Sequence, residues 1–182
     1  MTAPHHGAAV WTMGGTGVLL SAVLPCLLLA VRDRPPLGGM ARRLSPPPGA
    51  ALSGFVLVHA AVTLAESFLQ MGAVVSAALY AVLVAAGLAF WLPVLGPGRR
   101  LGDAGRCLYL FVGAPLLDIP VVATFARGHA AGGLAMIVGM LPVGIIAAAL
   151  TWRWITAEER ARQREETAPQ PARARPAHVA EP

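Results

Sequence analysis

Five long apolar stretches alternate with short polar ones along the chain, at about residues 10–31, 50–71, 73–95, 107–126 and 130–155. Each is near the roughly 20 residues that an α-helix needs to cross a bilayer core. The pattern therefore predicts an all-α, polytopic membrane bundle of about five transmembrane helices within residues 1–156. A turn around Met71 and Gly72 joins the second stretch to the third, so these two form a tight antiparallel hairpin. Beyond Ala157 the chain reads as a charged tail over 157–182, helical through TAEERARQREE and disordered from Thr167 on. Glu158 and Arg162 form an i,i+4 pair on that helical extension.

Small residues fall at spacings that let helices approach closely: Gly14, Gly15 and Gly17 in the first stretch, Ala135 and Gly139 in the last. A further ridge, Ala73, Ala77, Ala81, Ala85 and Ala89, runs along the third at four-residue intervals and offers a neighbour a close seat. Pro25 and Pro142 predict kinks. Trp11, Trp91, Trp152 and Trp154 fall at span ends, where interfacial anchors belong.

Charge orients this bundle. Residues 1–156 carry nine arginines against Asp33, Glu66, Asp103 and Asp118, and eight of the nine fall in one set of loops. By the positive-inside rule the N-terminus is outside and the C-terminus cytoplasmic. The basic excess thus marks topology, and no nucleic-acid motif accompanies it. All 14 basic residues are Arg in an Ala-, Gly- and Pro-rich chain, which suits a GC-rich bacterial genome and a multi-pass protein of the bacterial plasma membrane. Cys26 and Cys107, the two cysteines, imply neither a disulfide framework nor a zinc site. No basic residue precedes the first apolar run, so that run is expected to stay as a helix and not be removed as a signal peptide.

One stretch departs from the apolar pattern. In AALSGFVLVHAAVTLAESFLQM, the residues His59, Thr63, Glu66 and Gln70 are spaced by four, three and four. At helical pitch they fall within about 60° of arc, a polar stripe on an otherwise apolar helix. Intramembrane ionisable groups are a functional hypothesis by default. His59 and Glu66 lie roughly 10 Å apart along the axis, too far to hold one ion alone, so Thr63 between them makes a hydrogen-bonded ladder and any metal needs ligands from other helices. Asp118, between Pro115 and Pro120, lies near the midplane and is expected to face the bundle, neutral or paired. Met13, Met71, Met136 and the outer-loop His129 bring thioether and imidazole to the extracytoplasmic side, a set that suits copper, Cu(I) above all. The metal candidates are therefore His59, Glu66, Met13, His129 and Asp118. No nucleophile constellation or phosphate loop points to an enzyme.

Several strings are familiar. GLAFWLPVLGP, with Gly87, Phe90, Trp91 and Pro93, RCLYLFVGAPLLD, the pair GGLAMIVG and TWRWITAEERAR, and LLSAVLPCLLLA near the start resemble the CtaG family of cytochrome c oxidase assembly factors over roughly residues 11–166. The resemblance implies a membrane factor that acts on cytochrome c oxidase subunits, with copper insertion as its step. It also implies departures. Where the family carries His pairs, this chain has Thr12 and Thr16, and Ser76 and Tyr80; where the family has an Asp-Gln pair, it has Gly128 and His129. His59 alone matches a family His, and longer members carry further N-terminal helices. Two other readings stay open: a structural or interaction membrane protein whose polar stripe only holds helices together, and a small proton-coupled transporter using Glu66 and Asp118, against which no inverted repeat is visible.

Overall fold

The computed structural model describes residues 3–31, 34, 39, 43, 45–69, 71–96, 101–125, 128 and 130–167, residues 3–10 as backbone only. Gln70, His129 and the tail beyond Thr167 lie outside the described residues. The described residues are almost all helical: α1 (Ala3–Val18) continues through a π-helical turn (Leu19–Val23) into α2 (Leu24–Val31), followed by α3 (Pro48–Phe68), α4 (Ala73–Leu95), α5 (Asp103–Phe125) and α6 (Ala130–Thr167). Five spans are long and apolar enough to cross a membrane, the first of them Trp11–Val31. This is a multi-pass membrane protein, and its expected helices are all present.

The boundaries follow local chemistry. Pro48 opens α3, where its fixed φ and missing N–H cost nothing. The helix stops at Phe68, short of the expected 71, because Leu69 is already extended, and Gly72 precedes α4 in an extended conformation. α5 begins at Asp103 rather than 107, and Asp103 pairs with Arg106 across its first turn at 3.4 Å. α6 runs 38 residues, well past membrane length, and carries the Glu158–Arg162 pair at 4.0 Å.

Packing closes the five spans into a ring. The first span lies against α6, α6 against α5, α5 against α3, α3 against α4, and α4 against α2. The glycines set the closest seam. A Cβ on Gly17 would lie 3.0 Å from the Cα of Gly139, and one on Gly14 would lie 3.3 Å from the Cβ of Ala135. Ser21 Oγ then donates to the Gly139 carbonyl at 2.6 Å. The alanine ridge of α4 behaves otherwise: Ala73, Ala77, Ala81 and Ala85 are exposed and face away from the bundle.

The π-helical turn has a specific cause and a specific remedy. Leu24 N–H bonds back to the Leu19 carbonyl, five residues away, and Pro25 has no N–H to give. The Leu20 carbonyl is thereby left without a helical donor, and Trp91 Nε1–H donates to it at 2.8 Å. Trp91 is 1% exposed, so it is a core residue and not the interfacial anchor its place at a span end suggests. Trp11 and Trp152, by contrast, are exposed, at the ends of the first and last apolar stretches. Around Trp91 sit Phe90 at 5.3 Å edge-on, then Phe55 and Tyr109 against Phe90, whose carbonyl accepts the Tyr109 hydroxyl at 3.0 Å. Trp91→Phe keeps most of this packing and orphans one buried carbonyl, so it should lower stability by about 1 to 3 kcal/mol. Thermal unfolding in detergent measures it; an unchanged melting temperature would show that the indole bond contributes nothing.

Candidate functional site

The ends of α3 at Phe68 and of α4 at Ala73 mark one end of the bundle, and there all five spans contribute to a small cavity. The first span supplies Met13 and Thr16, α3 Thr63 and Glu66, α4 Tyr80, α5 Thr124, and α6 Met136. Val62, Leu83 and Val121 complete the wall. Its volume of about 20 Å³ is space enough for a bound water or a small ion. A wider vestibule of about 280 Å³ adjoins it, sharing Met13 and Glu66 and adding Thr12, Met71 and Ser76.

Helix geometry explains the convergence. Met13 and Thr16, like Thr63 and Glu66, are three residues apart and so share a face. The close seam at Gly17 and Gly139 carries Met13 on α1 and Met136 on α6 toward each other. The hydroxyl hydrogens of Thr16 and Thr124 are already committed, to the carbonyls of Thr12 and Val121, each at 2.7 Å. These two side chains therefore offer the cavity only oxygen lone pairs. The Tyr80 hydroxyl is buried without a formed hydrogen bond, and the Glu66 carboxyl and the Thr16 hydroxyl are the polar groups that act on it. The site thus holds two thioethers, one carboxyl, one phenol and three threonines.

The sequence-derived candidates divide. Met13 and Glu66 meet in the cavity. His59 does not reach it: halfway along α3, it is fully buried beside Phe55, with ring centroids 6.0 Å apart. Neither of its ring nitrogens has a hydrogen-bond partner among the described residues, so the expected ladder through Thr63 does not form. Any contribution of this residue to helix association therefore comes from packing and not from hydrogen bonds, and its unpaired imidazole costs stability. His59→Leu should raise stability by about 1 to 3 kcal/mol, because it removes two unsatisfied nitrogens and keeps most of the volume. A melting temperature lowered by that substitution would mean that the imidazole has a partner after all.

Asp118 is likewise not where a bundle-facing carboxyl was expected. It is half-buried in a groove of about 160 Å³ between α5 and α6, on the flank of the bundle. Cys26 is exposed and Cys107 buried, and both are free thiols. Among the described residues no three His, Cys, Asp or Glu side chains gather as a metal site. A nitrogen- or carboxylate-rich centre for a divalent ion is therefore not formed by them. The thioethers of Met13 and Met136 with the Glu66 carboxylate remain, a donor set that fits Cu(I).

Tyr80 is the site residue that sequence reasoning did not select for chemistry. Its signal was present: Ser76 and Tyr80, four apart, are the only hydroxyl side chains on the otherwise apolar α4. Comparison with protein-family models, with curated proteins and with solved structures finds no match.

Proposed function

We propose that this protein is a non-enzymatic membrane factor for cytochrome c oxidase assembly, resident in the bacterial plasma membrane with the turn 69–72 on the outer side, and that its cargo is Cu(I). The observation that carries this reading is a convergence. Thr12, Thr16, Ser76 and Tyr80 are the positions at which the CtaG resemblance expects paired histidines, and all four line the same cavity and vestibule. Positions picked out by likeness of sequence, on two different helices, thus meet at one place in the fold. Their replacement by threonine, serine and tyrosine shifts the donor set from imidazole toward the neighbouring thioethers. Met71 in the vestibule, Met13 at its boundary with the cavity and Met136 inside form a path of soft ligands from the bundle end inward.

Such a site binds a monovalent soft ion and leaves its redox state alone. Glu66 supplies the single negative charge that balances Cu(I) in a low-dielectric surrounding. The enclosed cavity keeps out bulk water, and the vestibule gives the ion an exit toward an acceptor. Deletion of the gene should leave oxidase with its haem but depleted of copper, measured by haem spectroscopy and metal content of the purified oxidase. A deletion strain whose oxidase carries its full copper and activity would overturn the reading.

A further inference from the structure

Asp118 marks a second surface, independent of the copper cavity. On α5 it lies seven residues, about 10 Å, before the helix ends at Phe125, well inside the apolar length of the span. A charged carboxylate at that depth is costly unless something pairs with it. Among the described residues no hydrogen bond or ion pair reaches Asp118. Its groove is otherwise apolar, walled by Ala114, Ile137, Met140 and Val143, and it opens sideways past the exposed Leu141 and Gly144. A Cβ added at Gly144 would meet nothing within 4 Å, so the groove is open at this residue.

We propose that this groove docks a transmembrane helix of another protein, one that presents a basic side chain, Arg or Lys, to Asp118. Charge complementarity selects the occupant. A lipid tail fills the groove but offers no donor, and headgroups lie too far along the membrane normal. A second copy of this chain fits no better, because its outward surface brings no base at this depth. Among the described residues the exposed mid-span positions, Leu57, Val82, Ile119, Val122 and Leu141 among them, are apolar. Two grooves face to face would set one carboxyl against another. A cation on a foreign helix neutralises Asp118 and is itself neutralised, so neither charge stays unpaired in the membrane.

The test uses the full-length protein in liposomes with synthetic polyleucine helices that carry Arg, Gln or Leu at their centre. Association is read by energy transfer between a donor on the protein and an acceptor on the peptide. The Arg peptide is expected to bind at least about tenfold more tightly than the Leu peptide. That preference should vanish in both Asp118→Asn and Asp118→Leu. Gly144→Leu, which blocks the groove and keeps the carboxyl, should also remove it, and melting temperatures near wild type confirm that the variants are folded. Equal binding of the Arg and Leu peptides overturns the proposal. So does a Gln peptide that binds as well as Arg and survives Asp118→Asn, which makes the pairing neutral. Self-association of the wild type that is lost in Asp118→Leu overturns it in favour of a second copy.

Discussion

Gly139→Ala should destabilise the bundle by roughly 1 to 3 kcal/mol, although alanine is the better helix former by about 1 kcal/mol. The added Cβ would sit 2.7 Å from the Gly14 carbonyl oxygen, 3.1 Å from the Gly17 Cα and 3.1 Å from the Val18 nitrogen. All three are backbone atoms and cannot swing aside, so α1 and α6 must separate. Separation also strains the Ser21 bond to the Gly139 carbonyl, now 2.6 Å. Gly139→Leu should leave no stably folded monomer. Gly144→Ala is the control, on the same helix with open space around it, and should be neutral or stabilising. Thermal unfolding in detergent separates the two, and equal stability of the two alanine variants would remove the glycine seam as a determinant of the fold. The loss should extend to the cavity lined by Met13 and Met136, because that seam sets the distance between them.

Much of this architecture was legible in the sequence because it is encoded locally. Spanning length, the tight turn after Phe68, the extension of α6 and the small-residue spacings at Gly14–Gly17 and Ala135–Gly139 each depend on residues close together or on a spacing that repeats. The misread features depend on distant partners. Trp91 sits at a span end, and only the carbonyl stranded by Pro25, on another helix, draws it into the core. Asp118 was expected to face inward because it is charged, yet α5 is so evenly apolar that its sequence does not mark which side meets lipid. The alanine ridge of α4 has the spacing of a helix contact, but the neighbouring helices take the opposite face. Of the stripe on α3, Glu66 and Thr63 line the cavity, whereas His59 lies two helical turns deeper, where the ring has closed around it. Tyr80 and Met136 join the site only through the ring order of the helices, which no single segment contains.

The ligand role proposed for the thioethers gives the sharpest functional expectation. Met13→Leu combined with Met136→Leu preserves volume and apolarity, so the fold should be retained with a melting temperature close to wild type. The cavity then keeps Glu66, Tyr80 and its threonines but loses both sulfurs. Cu(I) affinity, measured by competition with a Cu(I)-specific chelator, should fall by at least about 100-fold, since even outer-shell partners of metal ligands are worth about 10- to 100-fold. Glu66→Gln keeps the sulfurs and removes the balancing charge, so its loss should be smaller, on the order of tenfold. Zn(II) discriminates the chemistry from a mere polar pocket: it prefers imidazole, thiolate and carboxylate, and should bind none of these proteins tightly. A double variant that competes for Cu(I) as well as the wild type, or a wild type that takes Zn(II) equally well, would place the copper elsewhere. The ranking of the single and double variants then shows whether the ion rests between the two helices that the glycine seam holds together or farther out, at Met71 in the vestibule.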